Sequence, residues 1–320
     1  MRCFTPKRLF PCLCLALALT LCAGQAFAKP GEITIASVSW TGVTIKTEIA
    51  VKILQLLGYK ARNVMVSVPL AYKAMATKEA DVFLGNWMPS MATIANKYFK
   101  DGSVVQYCKN MAGAKYTLAA PSYVVDAGLR DFSDIHKYAD KLDHKIYGIE
   151  EGNDGNEIIQ NMIDKNMFGL GGFTLVSSSE AGMLGQVKAF AKEGKWIVFL
   201  GWSPHSMNET LDMKYLTGST AETFGPDNGT ADVYTNIRKG FDKKYPNVAV
   251  FLKNLQFPIP MMNAIMTTLH NNKDEKPQRA AMLWLKANPD ICATWLKGVT
   301  TKAGKPALPV VQAYLAKDVR

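Results

Sequence analysis

Apolar and polar positions along the chain first organise into a strand-like run, Glu32 to Trp40, followed by Thr41-Gly42 as a turn. Ile45, Ile49, Ile53 and Leu57 then recur every four residues, which places them on one face of a helix. Gly58 supplies the stop. A second helical pattern over Ala71 to Lys78 feeds the short run Ala80-Asp81-Val82-Phe83-Leu84, which ends at Gly85-Asn86-Trp87-Met88-Pro89. This β-α-β-α alternation predicts a parallel sheet. It resumes with Lys115 to Ala119, Lys145 to Ile149, a Gly-Asn-Asp-Gly loop, a helix from Asn156 to Lys165 and a buried strand at Trp196 to Gly201. Ala231 to Tyr245 and Lys276 to Leu315 read as helices and connectors. The fold class is α/β, and the length suits two domains.

Residues 1–28 follow a different logic. Arg2, Lys7 and Arg8 precede an apolar stretch from Leu9 to Gly24, and Ala26-Phe27-Ala28 has the small-x-small pattern of a signal-peptidase site. The stretch is interrupted by Pro11 and is shorter than a membrane-spanning helix. Cleavage before Lys29 and export to the periplasm are expected. The formal net charge of +10 falls to +7 once those three basic residues leave, and the remaining lysines are scattered without a basic run or an aromatic-interleaved stripe. That composition argues against nucleic acid as a partner.

Cys3, Cys12, Cys14 and Cys22 belong to the leader, so only Cys108 and Cys292 remain in the exported chain. In an oxidising compartment they either form one disulfide or stay as two buried thiols, and the spacing leaves both open. His136, His144 and His270 are dispersed and no CxxC occurs, so neither a metal nor a cofactor is implied. No Gly-x-Ser-x-Gly, His-Glu-x-x-His or P-loop is present.

In parallel α/β sheets, ligands sit beyond the carboxyl ends of the strands. Trp40, Trp87 and Trp202 all follow predicted strands, whereas Trp196, Trp284 and Trp295 fall at a strand start or inside helices. Around them stand Ser39-Trp40-Thr41-Gly42, Gly85-Asn86-Trp87-Met88-Pro89, Gly113-Ala114-Lys115-Tyr116, Gly152-Asn153-Asp154-Gly155-Asn156 and Gly201-Trp202-Ser203-Pro204-His205. This ordered set, with Ala231-Asp232-Val233-Tyr234 and Gly298-Val299-Thr300, resembles the periplasmic binding proteins for choline and glycine betaine of quaternary-amine ABC importers.

The resemblance implies a two-lobe periplasmic binding protein fold, each lobe a mainly parallel sheet flanked by helices, with the ligand in the inter-lobe cleft. Lobe 1 would comprise 29–113 and 225–320, and lobe 2 would comprise 114–224. Trp40, Trp87, Tyr116 and Trp202 would form an aromatic box around the ammonium group. Asn153 would contact the ligand, with Asp154 beside it, and His205 would support the box or meet a carboxylate. Choline-type members carry an aspartate two residues after the first box tryptophan, where this chain has Gly42. That departure favours a zwitterion such as glycine betaine or carnitine over choline, with the N–H groups of Gly42 and Val43 meeting the carboxylate. A monomer that delivers its ligand to a membrane permease is expected. A periplasmic enzyme or a chemosensory receptor acting on quaternary amines is the alternative.

Overall fold

The computed structural model describes residues 31–319, and the leader expected at 1–28 lies outside the described residues. The strands are β1 (Glu32–Ser37), β2 (Lys60–Met65), β3 (Val82–Met88), β4 (Val104–Pro121), β5 (Lys145–Tyr147), β6 (Thr174–Val176), β7 (Phe199–Ser203), β8 (Met213–Tyr215) and β9 (Thr230–Arg238). They form one sheet in the order β2-β1-β3-β9-β4-β7-β5-β6, with β8 also paired to β4. β1 pairs in parallel with β2 and β3, and β5 pairs in parallel with β6 and β7. The two parallel units are joined by antiparallel ladders, β3 to β9, β9 to β4 and β4 to β7. The expected pair of mainly parallel sheets is therefore present as two halves of a single mixed sheet.

β1 shows how the first half is specified. Ile33 and Ile35 are fully buried, as are Thr34 and Ala36 on the opposite face, which is the signature of a strand covered on both sides. The chain then enters helix α1 (Thr41–Leu56), whose Ile45, Ile49 and Ile53 are fully buried. The expected strand to Trp40 and turn at Thr41-Gly42 are corrected here. β1 ends at Ser37, Trp40 is the residue that starts the helix, and Thr41 and Gly42 lie in the first helical turn. Small and β-branched residues serve that turn, whose N–H groups have no intrahelical acceptor, as readily as they serve a reverse turn.

The segment expected to be helical from Ala231 is instead β9, and helix returns only at Phe241–Lys244. Ala231, Val233, Thr235 and Ile237 alternate with period two and are all buried, because β9 is paired on both edges by β3 and β4. β3 likewise continues through Trp87 to Met88 instead of ending at Leu84. The expected lobe boundary at Gly113 and Ala114 falls inside β4, where its ladder to β9 shifts register between Met111 and Ala114.

Buried polar contacts fix this sheet. Asp81 accepts from Arg238 Nε at 2.6 Å and from the Thr34 N–H at 2.9 Å, tying β1 and the start of β3 to β9. Tyr72, Asn86 and Asn236, all fully buried, close a hydrogen-bonded triangle immediately before Trp87. Each member satisfies its neighbours in a setting where an unpaired polar group would cost roughly 1–3 kcal/mol.

Cys108 on β4 and Cys292 are both free, so the disulfide left open by their spacing does not form. The Cys108 thiol is directed to the Leu252 carbonyl at 3.5 Å, and Cys292 is fully buried. Thiol titration of the exported chain, denatured without reductant, should find two reactive groups per molecule.

Candidate ligand-binding site

The carboxyl ends of the parallel strands converge on one pocket of about 530 Å³, open mouth included. Four rings form its walls: Trp40 at the head of α1, Trp87 at the end of β3, Tyr116 on β4 and Trp202 on β7. Tyr116 and Trp202 are cross-strand partners in the β4–β7 ladder. Their ring centroids are 6.3 Å apart at 74°, and Trp87 lies 5.9 Å from Tyr116 at 54°. Phe224, edge-on to Tyr116 at 5.5 Å, backs the tyrosine from outside the pocket. Tilted rings of this kind present several faces to a common volume.

Trp40 is held from the far side of the pocket. Its indole N–H donates to Glu150 Oε1 at 2.6 Å. Next to it, Glu180 accepts from the Thr41 N–H at 3.2 Å and from the Thr41 hydroxyl, while His205 Nε2 lies 3.0 Å from the same carboxylate. His205 Nδ1 accepts from the Met207 N–H, which leaves Nε2 as the donor to Glu180. The first turn of α1 therefore meets a carboxylate at its positive end, 139 residues away in sequence.

Asp154 faces the rings from the start of the helix Asp154–Asp164. It is 1% exposed, and among the described residues neither of its carboxyl oxygens meets a hydrogen-bond partner within 3.5 Å, the Ser90 hydroxyl being close enough only to act on it weakly. Burial pushes its pKa up to about 7; the nearby Ser90 hydroxyl opposes this, and the charges of Glu157 and Glu150 reinforce it. Glu150 is also raised, chiefly by burial. Burial, with Asp154 and Glu150 nearby, raises the Tyr116 hydroxyl well above its ordinary value. The pocket is thus an aromatic cavity with an uncompensated acidic group at its back, an arrangement complementary to a compact cation.

Of the residues singled out from sequence, the structure brings Trp40, Gly42, Val43, Trp87, Tyr116, Asp154 and Trp202 together as pocket lining. Asn153 and His205 stand behind it. The Asn153 side chain accepts from the Asn156 N–H at 2.9 Å as the helix cap and donates to the Glu150 carbonyl, so its polar atoms are used within the chain. His205 packs on Trp202 at 5.1 Å and holds Glu180. Asn156 binds both the N–H and the carbonyl of Ile149, fixing that pocket residue in place.

Sequence reading missed Glu180, which lies just beyond β6, because a strand of three residues leaves almost no pattern, and it missed Glu150 although the strand before it is predicted. It also missed Lys46, Met262 and Met266, which line the pocket. Lys46 had a readable signal: it lies within the apolar stripe of α1, one turn after Gly42. Among the described residues, no group of three or more His, Cys, Asp and Glu is arranged to hold a metal, and no helix is long and apolar enough to cross a membrane.

Two α/β units with an aromatic pocket at their facing strand ends define a two-lobe solute-binding protein of the periplasmic class. Residues 31–287 match the OpuAC family, the substrate-binding domain of ABC-type glycine betaine transport systems, and the chain belongs to that family. Its members are binding proteins of transport systems. A solved ABC-transporter choline-binding protein in complex with choline is 46% identical, with 89% of this chain and 98% of that one covered and a TM-score of 0.87. The unliganded semi-closed conformation of an ABC-transporter choline-binding protein, with the same identity and coverage, gives a TM-score of 0.81. The glycine betaine/carnitine transport binding protein GbuC of Listeria monocytogenes is 29% identical over 160 residues, which is half of this chain and 51% of that protein.

The Asp154 pKa gives a stability prediction. Its folded-state value of about 7 exceeds the ordinary 3.8, so the folded chain holds a proton that the unfolded chain releases between these values. The contribution of this group is stabilising at low pH and is lost as pH rises through 7. In ligand-free protein, Asp154→Asn should raise stability relative to the parent at pH 8 by roughly 2 kcal/mol, and the difference should shrink toward pH 5 in urea unfolding curves.

Proposed function

We propose that this protein captures a quaternary ammonium zwitterion, glycine betaine ahead of carnitine and choline, and presents it to the permease of an ABC importer. The observation that carries this reading is the convergence of Trp40, Trp87, Tyr116 and Trp202 on one pocket with Asp154 at its back. A quaternary ammonium has no N–H to donate, so a hydrogen-bonding site cannot grip it directly. Ring faces attract it at roughly 0.5–2 kcal/mol each, and its methyl groups gain by leaving water.

In this reading 29–113 with 225–320 and 114–224 are the two lobes, and closure brings Trp40 and Trp87 against Tyr116 and Trp202. Asn153 and His205 act one layer back, through the helix cap and through Glu180. A cleaved leader, a periplasmic location and a monomeric state complete the proposal. The similarity to a choline-binding protein makes choline the specific competing ligand. Against it stands Gly42, where a Cβ would come within 3.1 Å of Met266 Cε: methionine occupies the space into which a side chain at 42 would project.

Calorimetry with glycine betaine, carnitine and choline, on protein stripped of ligand by unfolding and refolding, tests the reading. Trp87→Ala and Trp202→Ala should each weaken glycine betaine binding by about thirtyfold, ~2 kcal/mol. An affinity unchanged in either variant removes that ring from the site, and failure of all three ligands to bind the parent overturns the function. Gly42→Asp should improve choline relative to glycine betaine by about tenfold or more by adding a negative charge beside the box.

A further inference from the structure

Lys46 is the only cationic side chain that lines the pocket among the described residues. It follows Gly42 by four positions on α1, so both face the cavity from the same side of the helix. Lys46 is 3% exposed. Its ammonium donates to Asn110 Oδ1 at 2.9 Å and lies 5.3 Å from the centroid of the Phe257 ring. Asn110 is itself fixed, donating to the Leu84 carbonyl at 3.1 Å and to the Thr235 hydroxyl at 3.0 Å. A neutral amide and a ring are the partners the structure gives this lysine, and among the described residues no carboxylate lies within 4.0 Å of its ammonium.

An ammonium carries three N–H donors, and one of them is used on Asn110. A buried lysine with no counter-ion is costly, and burial lowers the pKa of Lys46 to about 7. An anion entering the pocket would remove that cost. The first turn of α1 adds the N–H groups of Gly42 and Val43, which lie beyond the reach of intrahelical acceptors and also line the cavity.

We propose that Lys46 binds the carboxylate of the ligand, so that the pocket selects ammonium compounds bearing a remote anionic group over bare cations of the same size. The inference rests on the reading that the aromatic walls hold the ammonium end. The cavity then has a charge pattern of its own, with acid at Asp154 for the ammonium and base at Lys46 for the carboxylate.

The first arm of the test uses the unaltered protein. Glycine betaine and its primary amide share the trimethylammonium group, but only the former carries a carboxylate. The acid should bind at least about tenfold more tightly. The second arm compares Lys46→Met and Lys46→Gln, the latter retaining a donor toward Asn110. Each should lower the affinity for glycine betaine and carnitine by about tenfold or more while changing that for choline by less than about threefold. Melting of the ligand-free variants should be no lower than that of the parent, because an unpaired buried charge has been removed. Equal losses for choline and glycine betaine would mark Lys46 as structural and overturn the proposal, as would equal binding of acid and amide. If choline and the amide bind but the carboxylates gain nothing, the aromatic site stands and the role of Lys46 falls. If no ammonium compound binds, both fall.

Discussion

The antiparallel pairing of β4 with β9 is the constraint on which the rest of the molecule depends. Each parallel unit delivers its strand ends, and the rings that follow them, to its own edge of the structure. Only because β9 also pairs with β3 and β4 also pairs with β7 do these edges face one another across a pocket. The register shifts along the β4–β9 ladder bend the two strands, as extra residues in a ladder do. Tyr116 inherits its position from this geometry: it lies just beyond the last shift and opposite Trp202.

A second consequence is that charge is placed where little solvent reaches it: Asp154, Glu180 and Lys46 are buried and Glu150 is partly so. Asp154, Glu150 and Glu180 approach the rings from one side, and Lys46 lies within α1 on the other. Glu180 is satisfied by Thr41 and His205, and Glu150 in part by Trp40, but among the described residues Asp154 has only the Ser90 hydroxyl nearby and no hydrogen bond within 3.5 Å. Folding alone gains little from such groups. Their presence in an aromatic cavity makes sense when the missing partner comes from outside the chain.

The aromatic walls were legible in the sequence because a tryptophan at the carboxyl end of a strand is a local pattern: Trp40 follows β1, and Trp87 and Trp202 lie in the last residues of β3 and β7. Gly42, Val43 and Asp154 entered only through the resemblance, since the Thr41-Gly42 turn read from the sequence is in fact the first turn of α1. What could not be read was long-range. Lys46 is marked in the sequence only by its place in the apolar stripe of α1, and what it meets there is set by Asn110, 64 residues away. Glu180 looks like an acid at a helix start, a common stabilising choice, until Thr41 meets it. β9 was legible locally, since Ala231, Val233, Thr235 and Ile237 alternate with Asp232, Tyr234 and Asn236 in the period-two pattern of a strand, and reading the stretch as helix overlooked that pattern.

Glu180, Thr41 and His205 form their contact without any atom of a ligand. Their share of the free energy favouring this arrangement therefore belongs to the empty chain as well as to the filled one. If the two halves open and close, a measured affinity is an intrinsic affinity scaled by the fraction of molecules already shut. A substitution at Glu180 would then act on every ligand by one common factor, whereas changes to the rings or to charged groups in the pocket would reorder the ligands. Tightness and choice are thus set by different residues, and evolution could adjust one without disturbing the other.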